Sequence, residues 1–188
     1  MRTIVYSVAM SLDGYIAGPN GEFDWIPMDP EFDFGALFAR FDTVLMGRRT
    51  FEIARAQGQG MEMPGVRSVV VSRTLNPEDY PGHTILGDGL GPALSQMRAG
   101  PGRDIWLFGG GGLFRSLLDL GLVDRIEVAI APVLLGGGVP LLPAGAARTR
   151  MKLVESKPYP ATGTVALEYA VEQEPEGGRG DAGRPPGA

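Results

Sequence analysis

The sequence predicts an α/β fold with a mixed, mostly parallel central sheet and an antiparallel C-terminal edge. Three observations carry that expectation. Between residues 3 and 120, strand-like apolar runs alternate with helix-like segments, the order that builds a parallel sheet. After residue 125 three strand candidates follow with no convincing helix between them, which reads as antiparallel strands added at one edge. The chain has 188 residues, 44% of them hydrophobic, about one domain's worth on a prior of ~100–200 residues per domain.

The elements are taken in order. Thr3 to Met10 is the first strand. A helix is expected over Pro30 to Arg40: Asp29 can cap it, Pro30 suits its first position, and Glu31 favours the positive helix end. Phe34, Leu37, Phe38 and Phe41 then form one apolar stripe flanked by Glu31 and Asp33. Thr43 to Met46 reads as a strand, with a short helix from Arg48. Val66 to Ser72 is a β-branched strand, Thr84 to Leu86 a short one, and Pro92 to Arg98 a helix. Asp104 to Phe108 and Leu113 to Leu120 repeat the strand–helix order, and Arg125 to Leu135, Met151 to Ser156 and Thr164 to Glu172 are the final strands. Residues 1–173 are expected to be one domain. Glu174 to Ala188, mostly Glu, Gly, Pro, Arg and Ala, cannot offset its ordering entropy and is expected to be a disordered tail.

Composition removes several classes of function. Seventeen Lys and Arg against 22 Asp and Glu give a net charge of −5, which argues against a nucleic-acid footprint. Cysteine is absent and His83 is the only histidine, so disulfides, thiolate catalysis and Cys- or multi-His metal sites are excluded, and no metal is expected. A Ser-His-Asp triad lacks support, because His83 stands in a turn with no nucleophile near it in sequence. The first residues are too short an apolar stretch for a signal peptide, and no run approaches the ~20 apolar residues of a membrane span. The expectation is a soluble, cytoplasmic protein with no membrane partner.

The chemistry gathers at three predicted strand ends. Asp104-Ile105-Trp106-Leu107-Phe108 breaks into Gly109-Gly110-Gly111-Gly112 and then a helix. Such a turn lets a diphosphate approach backbone N–H groups at a positive helix end; read alone, it is equally a tight strand-to-helix connection. Gly47-Arg48-Arg49-Thr50 follows a second strand and Ser72-Arg73 a third, each offering phosphate donors where α/β ligands collect. The arginines suit the extra 2′-phosphate of NADPH, although any one alone could be a solvated cation. Asp13 could fix its own turn or serve a ligand. Trp25 could stack on a flat substrate or plug the core. Gly136-Gly137-Gly138 reads as a strand connection, because no helix pattern follows it.

Met46 to Glu52, Val71-Ser72-Arg73 and Phe108 to Gly111, in that order, resemble the cofactor motifs of the dihydrofolate reductase fold. Ser11 to Ala17, Leu122 to Ile126 and Ile130 to Gly136 are similar to the C-terminal reductase domain of bifunctional riboflavin-biosynthesis deaminase-reductases, which shares that three-layer fold. The resemblance covers Arg2 to Val171. It implies NADPH bound across the sheet edge. Arg48, Arg49 and Thr50 would lie on the pyrophosphate side, Gly47 and Gly109 to Gly112 close to the diphosphate, Ser72 and Arg73 near the 2′-phosphate, and Ala9, Ile16 and Ala17 around the nicotinamide. It implies hydride transfer to a small pterin- or pyrimidine-like heterocycle, with Asp33, or else Glu31, as the carboxylate that handles the proton. Asp13 and Trp25 are the candidates for the substrate side. The resemblance also implies a homodimer, for which the apolar strands after Arg125 could supply the interface. Tyr15 and Phe108 stand where the riboflavin reductases usually carry a basic and an acidic residue, Leu37 replaces the aromatic of the folate enzymes, and zero Cys with one His cannot supply the ligands of a zinc deaminase domain. The expectation is therefore a stand-alone reductase. The alternatives are a riboflavin-pathway reductase of 5-amino-6-ribosylaminouracil phosphate or a non-catalytic nucleotide-binding module.

Overall fold

In the computed structural model, residues 1–56, 58 and 65–172 are described; the expected tail, 174–188, lies outside them. Alternation of side chains along an extended chain puts successive residues on opposite sheet faces, and β1 (Ile4–Ser11) shows the result. Ile4 and Tyr6 belong to one buried cluster and Val5 to the other, all three with no exposed surface. After it come β2 (Tyr15–Ala17), α1 (Phe34–Ala39), β3 (Phe41–Gly47), α2 (Arg48–Ala56), β4 (Arg67–Val71), β5 (Thr84–Leu86) and α3 (Leu90–Ala99). The chain continues with β6 (Asp104–Gly109), α4 (Gly111–Asp119), β7 (Arg125–Ala131), β8 (Val139–Pro140), β9 (Met151–Tyr159) and β10 (Thr164–Val171).

Eight strands form one sheet in the order β5-β4-β3-β6-β1-β7-β10-β9. All neighbours from β5 to β7 are parallel, and β10 and β9 complete the sheet antiparallel. The strand from Arg125 therefore joins the parallel set beside β1 instead of opening the antiparallel edge. The reason is α4, which carries the chain from β6 over one face of β1 to the far side, the crossover that parallel neighbours require. Leu94 of α3 and Phe114 and Leu117 of α4 pack on one face with Ile105, Leu107, Ile126 and Val128. Phe51 of α2 and Leu37 of α1 pack on the other with Val44, Met46, Val70 and Trp106. The result is three layers. Tyr6 stacks on Phe114 with centroids 3.9 Å apart, and its buried hydroxyl finds no hydrogen-bond partner among the described residues.

Two local expectations are corrected. The first helix starts at Phe34, not Pro30, and its cap is Asp33, whose carboxylate accepts from the Ala36 N–H at 2.8 Å. Asp29 is drawn into a buried turn instead. It accepts from the Glu31 N–H at 2.9 Å and from the Thr162 hydroxyl at 2.8 Å, and that tie to the β9–β10 hairpin outcompetes helix initiation. The strand from Arg125 ends at Ala131, not Leu135. Beyond it the chain turns so that β8 pairs with β2 in a separate two-stranded sheet.

Candidate functional site

The carboxyl ends of β1, β3, β6 and β7 open into a cleft of about 1160 Å³. At one end two helices begin, each directly after a central strand. β3 passes through Gly47 into α2, and β6 passes through Gly109 and Gly110 into α4. Helix N-termini present unsatisfied N–H groups and a partial positive charge, and no side chain caps α4. Gly109 has φ 153°, a conformation that L side chains rarely adopt. A Cβ on Gly111 would lie 2.6 Å from the Pro140 carbonyl oxygen, whereas one on Gly112 would meet nothing within 4 Å. Gly111 is thus a packing glycine under the β8 strap, and Gly112 leaves the helix end open to the cleft. The donors of this end suit a diphosphate: Gly47, Arg48, Arg49 and Thr50 line it together with Gly109 to Gly112.

Ala9, Ile16 and Ala17 line the same cleft between that end and its other half. Ile16 and Ala17 belong to the β2–β8 pair, which Asp13 fastens. Its carboxylate accepts from the Ser11 hydroxyl at 2.6 Å, the Gly136 N–H at 2.7 Å and the Leu135 N–H at 3.1 Å. These bonds, the Ser11 hydroxyl foremost, hold the Asp13 carboxyl below the usual carboxylate range.

The other half is aromatic. Phe32, Phe34, Phe38, Trp106, Phe108 and Tyr159 line it, with Phe38 and Trp106 centroids 5.7 Å apart and Trp106 and Phe108 edge-on at 5.1 Å. The sheet beneath carries two aligned rows. Ser7, Glu127, Glu168 and Glu155 stand in register across β1, β7, β10 and β9, and one step along stand Ala9, Ala129, Ala166 and Lys157. Like charges side by side cost free energy, and the structure offsets this with cations: Arg40 binds Glu127, and Arg125 binds Glu168. Hydrogen bonding to Glu127 raises the Arg40 pKa further.

Not every expected residue reaches the cleft. Ser72 is buried and closes its own turn, accepting from the N–H groups of Thr74 and Leu75, and Arg73 is exposed beyond it. Both sit at the end of β4, two strands from β6, and neither lines the cleft. Asp33 is likewise off the wall, its carboxylate engaged as a cap. Asp13 and Trp25 are also outside; Trp25 donates to the Glu22 carbonyl while its neighbours Asp24 and Ile26 face the cleft. Sequence reasoning missed Asp29, Arg40, Glu127 and Lys157, all of them on the wall. Glu127 alone left a trace, as the one acid of its strand, on the same face as Ala129 and Ala131.

A strand order with β1 central, an antiparallel C-terminal edge and two helix N-termini facing one cleft defines a protein of the dihydrofolate reductase-like α/β class. The chain belongs within it to the RibD C-terminal domain family, a family of reductases, whose model matches residues 2–164. It is 34% identical over 179 residues to the uncharacterized protein YyaP of Bacillus subtilis (strain 168), covering 89% of this chain and 94% of that protein. Among solved structures it is similar to a putative riboflavin biosynthesis protein from Shewanella sp. PV-4, with a TM-score of 0.77 and 27% identity over 92% of this chain and all of that one. The deaminase/5-amino-6-(5-phosphoribosylamino)uracil reductase of Thermotoga maritima shares the fold, with a TM-score of 0.67 at 16% identity, and this chain spans 56% of it. Among the described residues no group of acids and histidine could hold a metal, and no helix is long and apolar enough to cross a membrane.

Proposed function

We propose that the chain is an NADPH-dependent reductase that passes hydride to a C–N or C–O double bond of a small planar heterocycle. One observation carries this reading: two helix N-termini with their glycines and arginines open into the same cleft as a wall of six aromatic side chains. NADPH, when bound, supplies the hydride; the protein supplies binding, orientation and electrostatics. Gly47 to Thr50 and Gly109 to Gly112 would hold the diphosphate, Arg73 at the end of β4 the 2′-phosphate, and Ala9, Ile16 and Ala17 would shield the nicotinamide from water. The rings of Phe38 and Trp106 stack a flat substrate against the alanine row, which fixes it for transfer. Asp29 is the buried acid on that wall, and it takes the proton-handling role that the resemblance implies for Asp33.

Titration with NADPH and NADH, followed by the fluorescence of Trp25 and Trp106, tests the reading. NADPH is expected to bind in the micromolar range and more tightly than NADH, and to be consumed when pterins or aminopyrimidines are added. 5-Amino-6-ribosylaminouracil phosphate is included to test a place in riboflavin biosynthesis. Binding with no turnover of any heterocycle would leave a nucleotide-binding module, and no binding of either cofactor would refute the reading.

A further inference from the structure

In the aromatic half of the cleft the Arg40 guanidinium meets Glu127 fork to fork. Nη1 lies 3.1 Å from Oε2 and Nη2 lies 2.5 Å from Oε1. The two come from different layers, Arg40 from the end of α1 and Glu127 from the middle of β7, and both line the cleft. Their side chains are 37% and 14% exposed. The Arg40 end of the pair is open to solvent, which screens its worth as a purely structural tie.

Its hydrogen-bonding capacity is only partly used. A guanidinium carries five N–H donors and an ionised carboxylate accepts about four bonds, so a bidentate contact consumes two of each. The unspent donors and lone pairs sit on bonded partners, so the pair presents a donor next to an acceptor. Two nearby polar groups are already committed: the Trp106 indole N–H donates to the Ser7 carbonyl at 2.8 Å, and Glu168 is bound by Arg125.

We propose that Arg40 and Glu127 together are the specificity-determining pair of this cleft and read a cyclic amide edge, –NH–C(=O)–, of the flat substrate. The ring N–H donates to Glu127 and the ring carbonyl accepts from Arg40. An edge with two donors would place one of them against the guanidinium, and an N-alkylated ring would leave the Glu127 lone pairs unmet. The proposal names the substrate class of the cleft and rests on the reading that its aromatic half holds the substrate.

Equilibrium binding of lumazine and N,N′-dimethyllumazine to the full chain without cofactor, followed by quenching of Trp25 and Trp106, tests it. Lumazine is expected to bind about tenfold tighter than its dimethyl derivative, as befits a hydrogen bond to a charged group. The variant R40M/E127M removes both the donor and the acceptor while keeping similar side-chain volume, a replacement that ion pairs often tolerate. It is expected to retain the wild-type NADPH affinity and to bind lumazine and dimethyllumazine equally. If the double variant does not fold, Glu127→Gln carries the test, because removing the charge should lower the preference about threefold or more. Equal binding of lumazine and dimethyllumazine by the wild type, or a preference untouched by both variants, would overturn the proposal. Failure of the wild type to bind NADPH would count against the reductase reading alone, and the lumazine preference would still decide this one.

Discussion

Two adjacent glycines at the start of α4 should respond to alanine in opposite directions. At Gly111 the new methyl would lie 2.6 Å from the Pro140 carbonyl oxygen, 3.0 Å from that of Leu141 and 3.1 Å from Pro143 Cδ. Two of these atoms are backbone and the third is a proline ring, so relief requires the β8 strap to move. Overpacking of this kind costs about 1–3 kcal/mol, and with about 2–4 °C per kcal/mol for a domain of this size, the midpoint of Gly111→Ala should fall by roughly 2–12 °C. At Gly112 nothing lies within 4 Å and the residue is helical. Alanine there reduces the entropy of the unfolded chain and should stabilise by about 0.4–1 kcal/mol, although the methyl would intrude where a diphosphate must approach. Thermal unfolding by circular dichroism reads the first effect and NADPH titration the second. Gly111→Ala unfolding at or above the wild-type midpoint would refute the packing argument. Gly112→Ala binding NADPH unchanged would remove that helix end from the cofactor site.

Tyr6→Phe deletes a buried hydroxyl that has no hydrogen-bond partner among the described residues, so it should raise stability by about 1–3 kcal/mol; chemical denaturation checks the sign, and a loss would reveal a hidden partner. Asp13 contributes stability through a folded-state pKa below its unfolded value. That contribution is complete above pH ~4, the ordinary Asp value, and is lost as the pH falls from there through the lowered folded pKa. Asp13→Asn should therefore show a shallower acid limb of midpoint against pH, and parallel curves would contradict the tie to residues 135 and 136. Asp33→Ala should cost ~1 kcal/mol as a lost helix cap, and Asp33→Asn only a fraction of that. Turnover should drop by about 100-fold in Asp29→Asn and hold in Asp33→Asn; the reverse pattern in a steady-state assay would return the proton to Asp33.

Patterns that are local in sequence locate most of the framework. Thr84 to Leu86 matches β5 to the residue, and the glycine turn after Asp104 to Phe108 lies where α4 begins. Local chemistry also explains the failures. Asp29 and Asp33 both precede helix-compatible residues, and the choice between them is made by Thr162, 133 positions away. β2 and β8 are three and two residues long, too short for any periodicity, and exist only because they pair with each other. Glu127 and Arg40 are 87 positions apart, so their meeting depends on strand register, which alternation along a single strand does not encode.

The central position of β1 bears on how the chain is made. Its neighbours are β6 and β7; the Thr3 N–H bonds to Asp104, 101 residues on, and the Ile4 N–H to Asp124, 120 residues on. At about 5–20 residues per second on the ribosome, the octapeptide Ile-Val-Tyr-Ser-Val-Ala-Met-Ser therefore waits roughly 5–24 s for the strands that flank it. During that time β3, α2 and β4 can form a local parallel unit, while the apolar β1 segment stays unpaired and open to aggregation. Moving β1 to the end of the gene by circular permutation would shorten that wait without altering one contact of the native sheet.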